Sequence, residues 1–257
     1  MTIHHDGLTL DWYGYATLRA TTPDGPVVYT DPGRYGVLTG EWTDRYGDDL
    51  GDDYDHPRGD PYEAQDGDVV LVTHDHHYDS DGIRRVAAPD ATVVVYEAVD
   101  ASGIDRDVEP VADLPYDIVR VDYGDQLTAA GVDIDVIPAY NRSDGPRADP
   151  DGNVGHPRGF GCGFRFTIDD RALFWPGDSD AVVEQEGLDV SVFVPPLSQE
   201  LTMGAEEAST LAATLDPDLT VPIHYNTFEL LAGDSTAYTA AVADEGVPVA
   251  LDESNRF

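Results

Sequence analysis

A chain of 257 residues is long enough for one sizeable hydrophobic core or two small ones, and a hydrophobic content of 41% excludes a disordered composition. Fourteen basic residues stand against 51 acidic ones, a formal net charge of −37, and every basic residue is arginine. No apolar run reaches the length of a membrane span, and residues 1–10 lack a basic start leading into an apolar stretch, so no secretory signal is expected.

The acidic residues run through every segment and do not gather in a tail. Such a surface repels itself in dilute buffer and is tolerated where salt screens it. The composition resembles that of proteins from salt-accumulating halophiles; the alternative is an acidic protein made for a basic partner. No basic stripe suits a phosphate backbone, which speaks against nucleic acid, although global acidity blunts the argument. Cys162 is the single cysteine, so no intrachain disulfide can form, and a cytoplasmic location is expected. It sits in an alternating stretch, 161–164, which suits a buried thiol better than a nucleophile.

In chain order, Leu8, Leu10 and Trp12 alternate with Thr9, Asp11 and Tyr13, the period of a strand. The segment 21–26 reads as a turn, and the run 27–30 ends at Asp31-Pro32. Together these suggest a β-meander. Residues 33–68 break the rhythm and carry Tyr35, Trp42, Tyr46, Tyr54 and Tyr62. A stretch this long without period is often functional; the expectation is a cover bordering the site, the alternative an acidic surface excursion. From residue 69 onward, short apolar runs alternate with helical stretches. Strands are expected at 69–73, 92–96, 132–136, 162–168, 172–175, 190–194, 219–223 and 247–251, and helices at 81–88, 203–215 and 235–245. Thr202 is read as the start signal of the second helix, with Glu206 and Glu207 in its first turn. No flexible linker divides the chain, so one domain spanning 1–257 is expected.

Metal-ligand residue types recur at the expected strand ends. Three of the eight histidines fall within four positions, in Thr73-His74-Asp75-His76-His77-Tyr78-Asp79. Imidazole nitrogens and carboxylate oxygens are the donors that zinc and similar ions take. Gly177-Asp178 follows another strand and presents a carboxylate at its end, where ligands of α/β sheets bind. His224 follows a third strand, and His156 lies in a loop between two. Each of the last three is weak alone, since Gly-Asp is an ordinary turn and a lone histidine is more often structural.

Taken together, the order Gly14-Tyr15-Ala16, Asp31-Pro32, Thr73-His74-Asp75-His76, Ala139-Tyr140-Asn141, Gly177-Asp178-Ser179-Asp180 and Pro222-Ile223-His224-Tyr225 resembles the metallo-β-lactamase-fold hydrolases. The branch it is most similar to is that of the ascorbate-phosphate lactonases. The resemblance implies an α/β fold, a four-layer αβ/βα sandwich, with one or two zinc or manganese ions and a metal-activated water as nucleophile. The family's first motif is His-x-His-x-Asp-His. His74 and His76 match its first two ligands, while Tyr78 and Asp79 stand where its Asp and last His belong. Either a one-residue insertion near His77 leaves Asp79 as the motif's aspartate, or Asp79 replaces the last histidine. Asn141 stands where relatives often carry a histidine ligand, with His156 able to reach in from the loop, and Tyr15 likewise stands where histidine is frequent.

The expected function is metal-dependent hydrolysis of a small-molecule ester, lactone or phosphodiester. His74, His76 and His156 hold the first ion, Asp178 bridges, and Asp79 and His224 hold the second. Two carboxylates at the second position favour manganese there. Asp178 and Asp75 are the candidate catalytic residues, Asp75 as a proton shuttle or an orienting group. The alternatives are a non-catalytic metal- or ligand-binding member of the fold and a nuclease of the same fold. Should the ligand assignment fail, His77 is the first replacement.

Overall fold

The computed structural model describes residues 2–33, 63–105, 107–226 and 231–252. The meander is present as four antiparallel strands, β1 (Thr2–His5), β2 (Leu8–Gly14), β3 (Thr17–Thr21) and β4 (Val28–Thr30). β2 buries Leu8, Leu10 and Trp12 on one face, as its alternation requires. Three parallel strands then extend the same sheet, namely β5 (Gly67–Val72), β6 (Ala87–Tyr96) and β7 (Asp117–Val121). The sheet order is β1-β2-β3-β4-β5-β6-β7. Val69, Val70, Leu71 and Val72 are all fully buried, the near-continuous apolar run of a strand covered on both faces. A short helix, α1 (Ser80–Val86), crosses from β5 to β6.

The second sheet begins with the antiparallel strands β8 (Gln126–Ala129), β9 (Val132–Ala139), β10 (Gly161–Ile168) and β11 (Arg171–Trp175). The two-residue strands β12 (Val192–Phe193) and β13 (Leu219–Thr220) add in parallel, giving the order β13-β12-β11-β10-β9-β8. Helices α2 (Ala205–Leu215) and α3 (Ser235–Asp244) occupy the remaining chain. Side chains from both sheets and from α2 and α3 join one continuous apolar cluster, including Trp12, Tyr29, Val94, Phe164, Phe174, Phe193, Leu211 and Tyr238. This is the expected αβ/βα sandwich of two mixed sheets.

Several boundaries differ from the sequence reading, each for a local reason. The strands expected at 190–194 and 219–223 shorten to two residues, because Pro195, Pro196 and Pro222 have no N–H to give to a ladder. The strand expected at 247–251 is a single bridge between Thr220 and Val249. Helix α2 starts at Ala205 with Gly204 as its cap; Thr202 is instead fully buried, its hydroxyl donating to Ser198 O at 3.2 Å. Cys162 is buried as expected, and burial pushes its thiol well above the ordinary range. Among the described residues no helix is long and apolar enough to cross a membrane.

Candidate metal centre

The end of β5 delivers the histidine cluster. After Thr73 the chain turns, with His77 N donating to His74 O at 3.1 Å. The turn brings His77 back beside His74, ring centroids 4.2 Å apart. Tyr78 points away, its hydroxyl donating to Glu109 O at 2.7 Å. Asp79 then caps α1, its Oδ1 accepting from Gly82 N at 3.0 Å.

The second sheet supplies the remaining groups. β11 ends at Trp175, and Gly177 turns the chain at φ +65° so that Asp178 faces the histidines. Gly161, at the start of β10, lies so near that a Cβ there would stand 2.8 Å from His74 Cβ. Only glycine lets the two sheets approach this closely. Asp178 Oδ2 lies 3.6 Å from His74 Nε2 and 3.4 Å from His156 Nε2. Its Oδ1 lies 3.5 Å from His77 Nε2 and 3.4 Å from His224 Nε2. The carboxylate therefore bridges two half-sites. His76 Nδ1 is 3.1 Å from His156 Nε2 in one, and His77 Nε2 is 3.1 Å from His224 Nε2 in the other. His76 is exposed while the other four histidines and Asp178 are buried, and Phe160 packs on His74, His76 and His156 with centroids 5.0 to 5.8 Å away.

The surrounding hydrogen bonds fix which nitrogens carry protons. Thr73 has one hydroxyl hydrogen and gives it to Asp31 Oδ2 at 2.8 Å. Its lone pair is what faces His74 Nδ1 at 2.9 Å, so that nitrogen carries the proton. His77 Nδ1 lies 3.0 Å from Asp31 Oδ2, a carboxylate that accepts. His156 Nδ1 lies 3.2 Å from Asn141 Oδ1, while the Asn141 amide donates to Asp180 Oδ1 and Leu201 O. In all three rings Nε2 is left as a lone pair, and Nε2 is the atom turned to Asp178. Asp31 itself is fully enclosed; burial pushes its carboxyl up to about 7, against the lowering effect of donors from Thr73 and Trp175. His224 is held at φ +60°, its N–H on Tyr15 O at 3.1 Å and the Tyr15 ring 4.7 Å from its own.

Imidazole lone pairs converging on a buried carboxylate are a donor set suited to one or two ions of the zinc type. His74, His76 and His156 form one cluster with ligand-like spacing, and His74, His77 and Asp178 another.

Of the residues expected at the site, His74, His76, His156, Asp178 and His224 are brought together. Asp79 belongs to neither cluster and serves as a helix cap, so the geometry does not support it as a ligand. His77 takes the place beside His224, the fallback noted from sequence. Asp75 lies at the rim, its Oδ1 accepting from Asp100 N at 2.8 Å, an anchoring contact. No orienting role was foreseen for Asp31, Thr73, Asn141 and Asp180, although all four lie within the motifs quoted. The cover expected at 33–68 falls mostly outside the described residues.

The architecture is that of the metallo-β-lactamase fold. Residues 9–224 match the family model described as the β-lactamase superfamily domain, and the chain belongs to that family. A curated relative from Pyrococcus horikoshii, named a UPF0173 metal-dependent hydrolase, is 27% identical over 199 residues, covering 74% of this chain and 81% of its own. Relatives of the same name from Listeria monocytogenes are 38% identical over 95 residues, which is 35% of this chain and only 40% of theirs. A solved structure from Parabacteroides distasonis superposes with a TM-score of 0.66 at 21% identity, covering 98% of this chain and 97% of that one. A metallo hydrolase of Ignicoccus hospitalis does so with a TM-score of 0.64 at 19% identity, covering 96% and 95%.

Proposed function

We propose that the protein is a metal-dependent hydrolase of a small ester, lactone or phosphodiester. The observation that carries this reading is the bridging Asp178, with imidazole nitrogens gathered on each of its oxygens. His74, His76, His156 and Asp178 would hold one ion, and His77, His224 and Asp178 a second. A metal bound there supplies Lewis acidity and a water acidic enough to ionise near neutral pH. With His77 in place of Asp79, the second set holds two imidazoles and one shared carboxylate. The argument for manganese at that position therefore lapses, and zinc suits both.

The chain's own groups keep the donors in position. Asp31 and Thr73 hold His77 and His74 in the tautomers that ligation requires, and Asn141 does so for His156. Exposed His76 and half-buried Phe160 mark the open side, where a substrate can approach without displacing buried groups. The resemblance to ascorbate-phosphate lactonases places lactones first in the panel. A cytoplasmic location fits the single buried thiol.

The test is turnover of lactone, carboxylate-ester and phosphodiester panels by protein loaded with zinc or manganese in molar salt. Activity on one class that is abolished in His74→Ala supports the proposal. Full metal loading without turnover on any class points to the non-catalytic alternative.

A further inference from the structure

His156 is the candidate ligand with the least regular structure behind it. It ends the loop 142–155, which leaves the sheet after β9 and rejoins it only at β10. A ligand on a loop binds metal well only if its ring is held in place before the ion arrives.

The base of the loop is closed on Asn141. Asn141 N donates to His156 O at 2.7 Å, and Asn141 Oδ1 accepts from His156 N at 3.0 Å and lies 3.2 Å from His156 Nδ1. An amide turned end for end has nearly the same shape, and would set its NH2 group against those two nitrogens. Two acceptors on the far side prevent this. Asn141 Nδ2 donates to Asp180 Oδ1 at 3.0 Å and to Leu201 O at 3.1 Å.

Asp180 is a fully buried carboxylate, and a buried anion persists only with a cation and further donors around it. Arg142 N donates to its Oδ2 at 2.9 Å. The loop lies directly against it, since a Cβ on Gly145 would stand 2.8 Å from the same oxygen. The cation is Arg147, which reaches back from the middle of the loop. Its side chain is 5% exposed, and its Nη1 meets Asp180 Oδ1 and Glu207 Oε2, both at 2.7 Å. Glu207 in turn is fixed by Ala181 N, which donates to its Oε1 at 3.0 Å. Arg142 is no substitute, with Nε 3.7 Å from Asp180 and its side chain 45% exposed.

We infer that Arg147 is a positioning residue for the metal centre. It holds Asp180 ionised and in place, Asp180 sets the amide of Asn141, and Asn141 sets the ring of His156 so that Nε2 faces Asp178. The inference rests on the reading of these residues as metal ligands.

Zinc serves as the probe, in competition titrations of the full chain against a chelator at constant molar salt. Arg147→Met keeps the apolar stem and removes the cation. It should weaken the zinc step that His76→Ala removes by about tenfold, the low end for loss of an orienting partner, and leave the step that His224→Ala removes unchanged. Arg147→Lys should recover most of the loss, because one nitrogen makes both contacts. Arg165→Met breaks the pair with Asp135 in the same sheet and controls for lost stability; it should bind zinc normally. Two-bond 1H–15N spectra of the histidine rings, with His156 assigned through His156→Gln, should show that ring protonated at Nδ1 in the zinc-loaded protein and altered in Arg147→Met, while His74 and His77 keep their signals. Unchanged affinity in Arg147→Met, equal weakening of both steps, or the same loss in Arg165→Met would each overturn the inference. A wild-type His156 ring protonated at Nε2 would do so whatever the variants show. Wild-type protein that takes up no zinc would instead remove the metal reading itself, and this inference with it.

Discussion

Four donors converge on Asp31: the N–H and hydroxyl of Thr73, the Trp175 indole and His77 Nδ1. A carboxylate can accept all four, and an amide cannot, because half of it is itself a donor. Asp31→Asn should therefore misorient His77 and weaken metal binding at the His77–His224 side by about 10- to 100-fold, the usual cost of losing an orienting partner. Competition titration against a chelator reads this directly, and unchanged affinity of both ions would refute it. At this scale the sequence was informative where a residue type is rare and ends a strand, as for His74, His76, Asp178 and His224. It set Asp31 within a motif but gave it no role, because nothing in an Asp-Pro step reveals that the aspartate turns inward. His77 could be named only as a fallback for a different reason: only the turn from His74 to His77 carries it back to the centre.

Helix α1 gives Asp79, which the family's first motif suggested as a ligand, the task of a cap. Its carboxylate caps the first turn, and the chain packs so tightly there that a Cβ on Gly33 would stand 2.8 Å from Asp79 Cβ. Asp79→Ala should cost about 1 kcal/mol of stability, the ordinary value of a lost cap, and leave metal content intact. His77→Ala should do the reverse in kind, lowering metal content. Thermal melts combined with elemental analysis separate the two, and metal loss in Asp79→Ala would return that residue to the ligand set. Elements with strong periodicity, such as β2, β9 and β10, were legible because one face of each is buried. β1, β7 and β8 escaped notice because they are short and largely exposed or half-buried, leaving little pattern to read. The parallel strands β12 and β13 were overextended because apolar runs continue through the prolines that end their ladders.

For the molecule as a whole, a net charge of −37 sets the conditions of folding. Screening lengthens from ~3 Å in molar salt to ~10 Å at 0.1 M, so repulsion among the surface carboxylates grows as salt is removed. Dialysis from molar KCl into dilute buffer should lower the melting temperature and, at the limit, unfold the chain, as followed by circular dichroism. A melting point indifferent to that change would sink the halophilic reading. Arginine offsets some of this locally, as in the pairs Arg19–Asp66 and Arg165–Asp135. Half-buried pairs of this kind at the surface offset only part of the repulsion, and 14 arginines cannot balance 51 acids.

The centre joins groups that the chain produces far apart: His77 and His224 face each other at 3.1 Å across 147 positions of sequence. One comes from the first sheet and the other from the second, so a bound ion acts as a clasp that can close only after both sheets have formed and docked. Contacts made after the rate-limiting step of folding, when stabilised, slow escape from the native state without hastening arrival, and this clasp is expected to be one of them. Stopped-flow refolding with and without zinc should give the same folding rate, while unfolding in denaturant should slow when zinc is bound. An equal acceleration of folding by zinc would mean that the two sheets meet earlier than this topology implies.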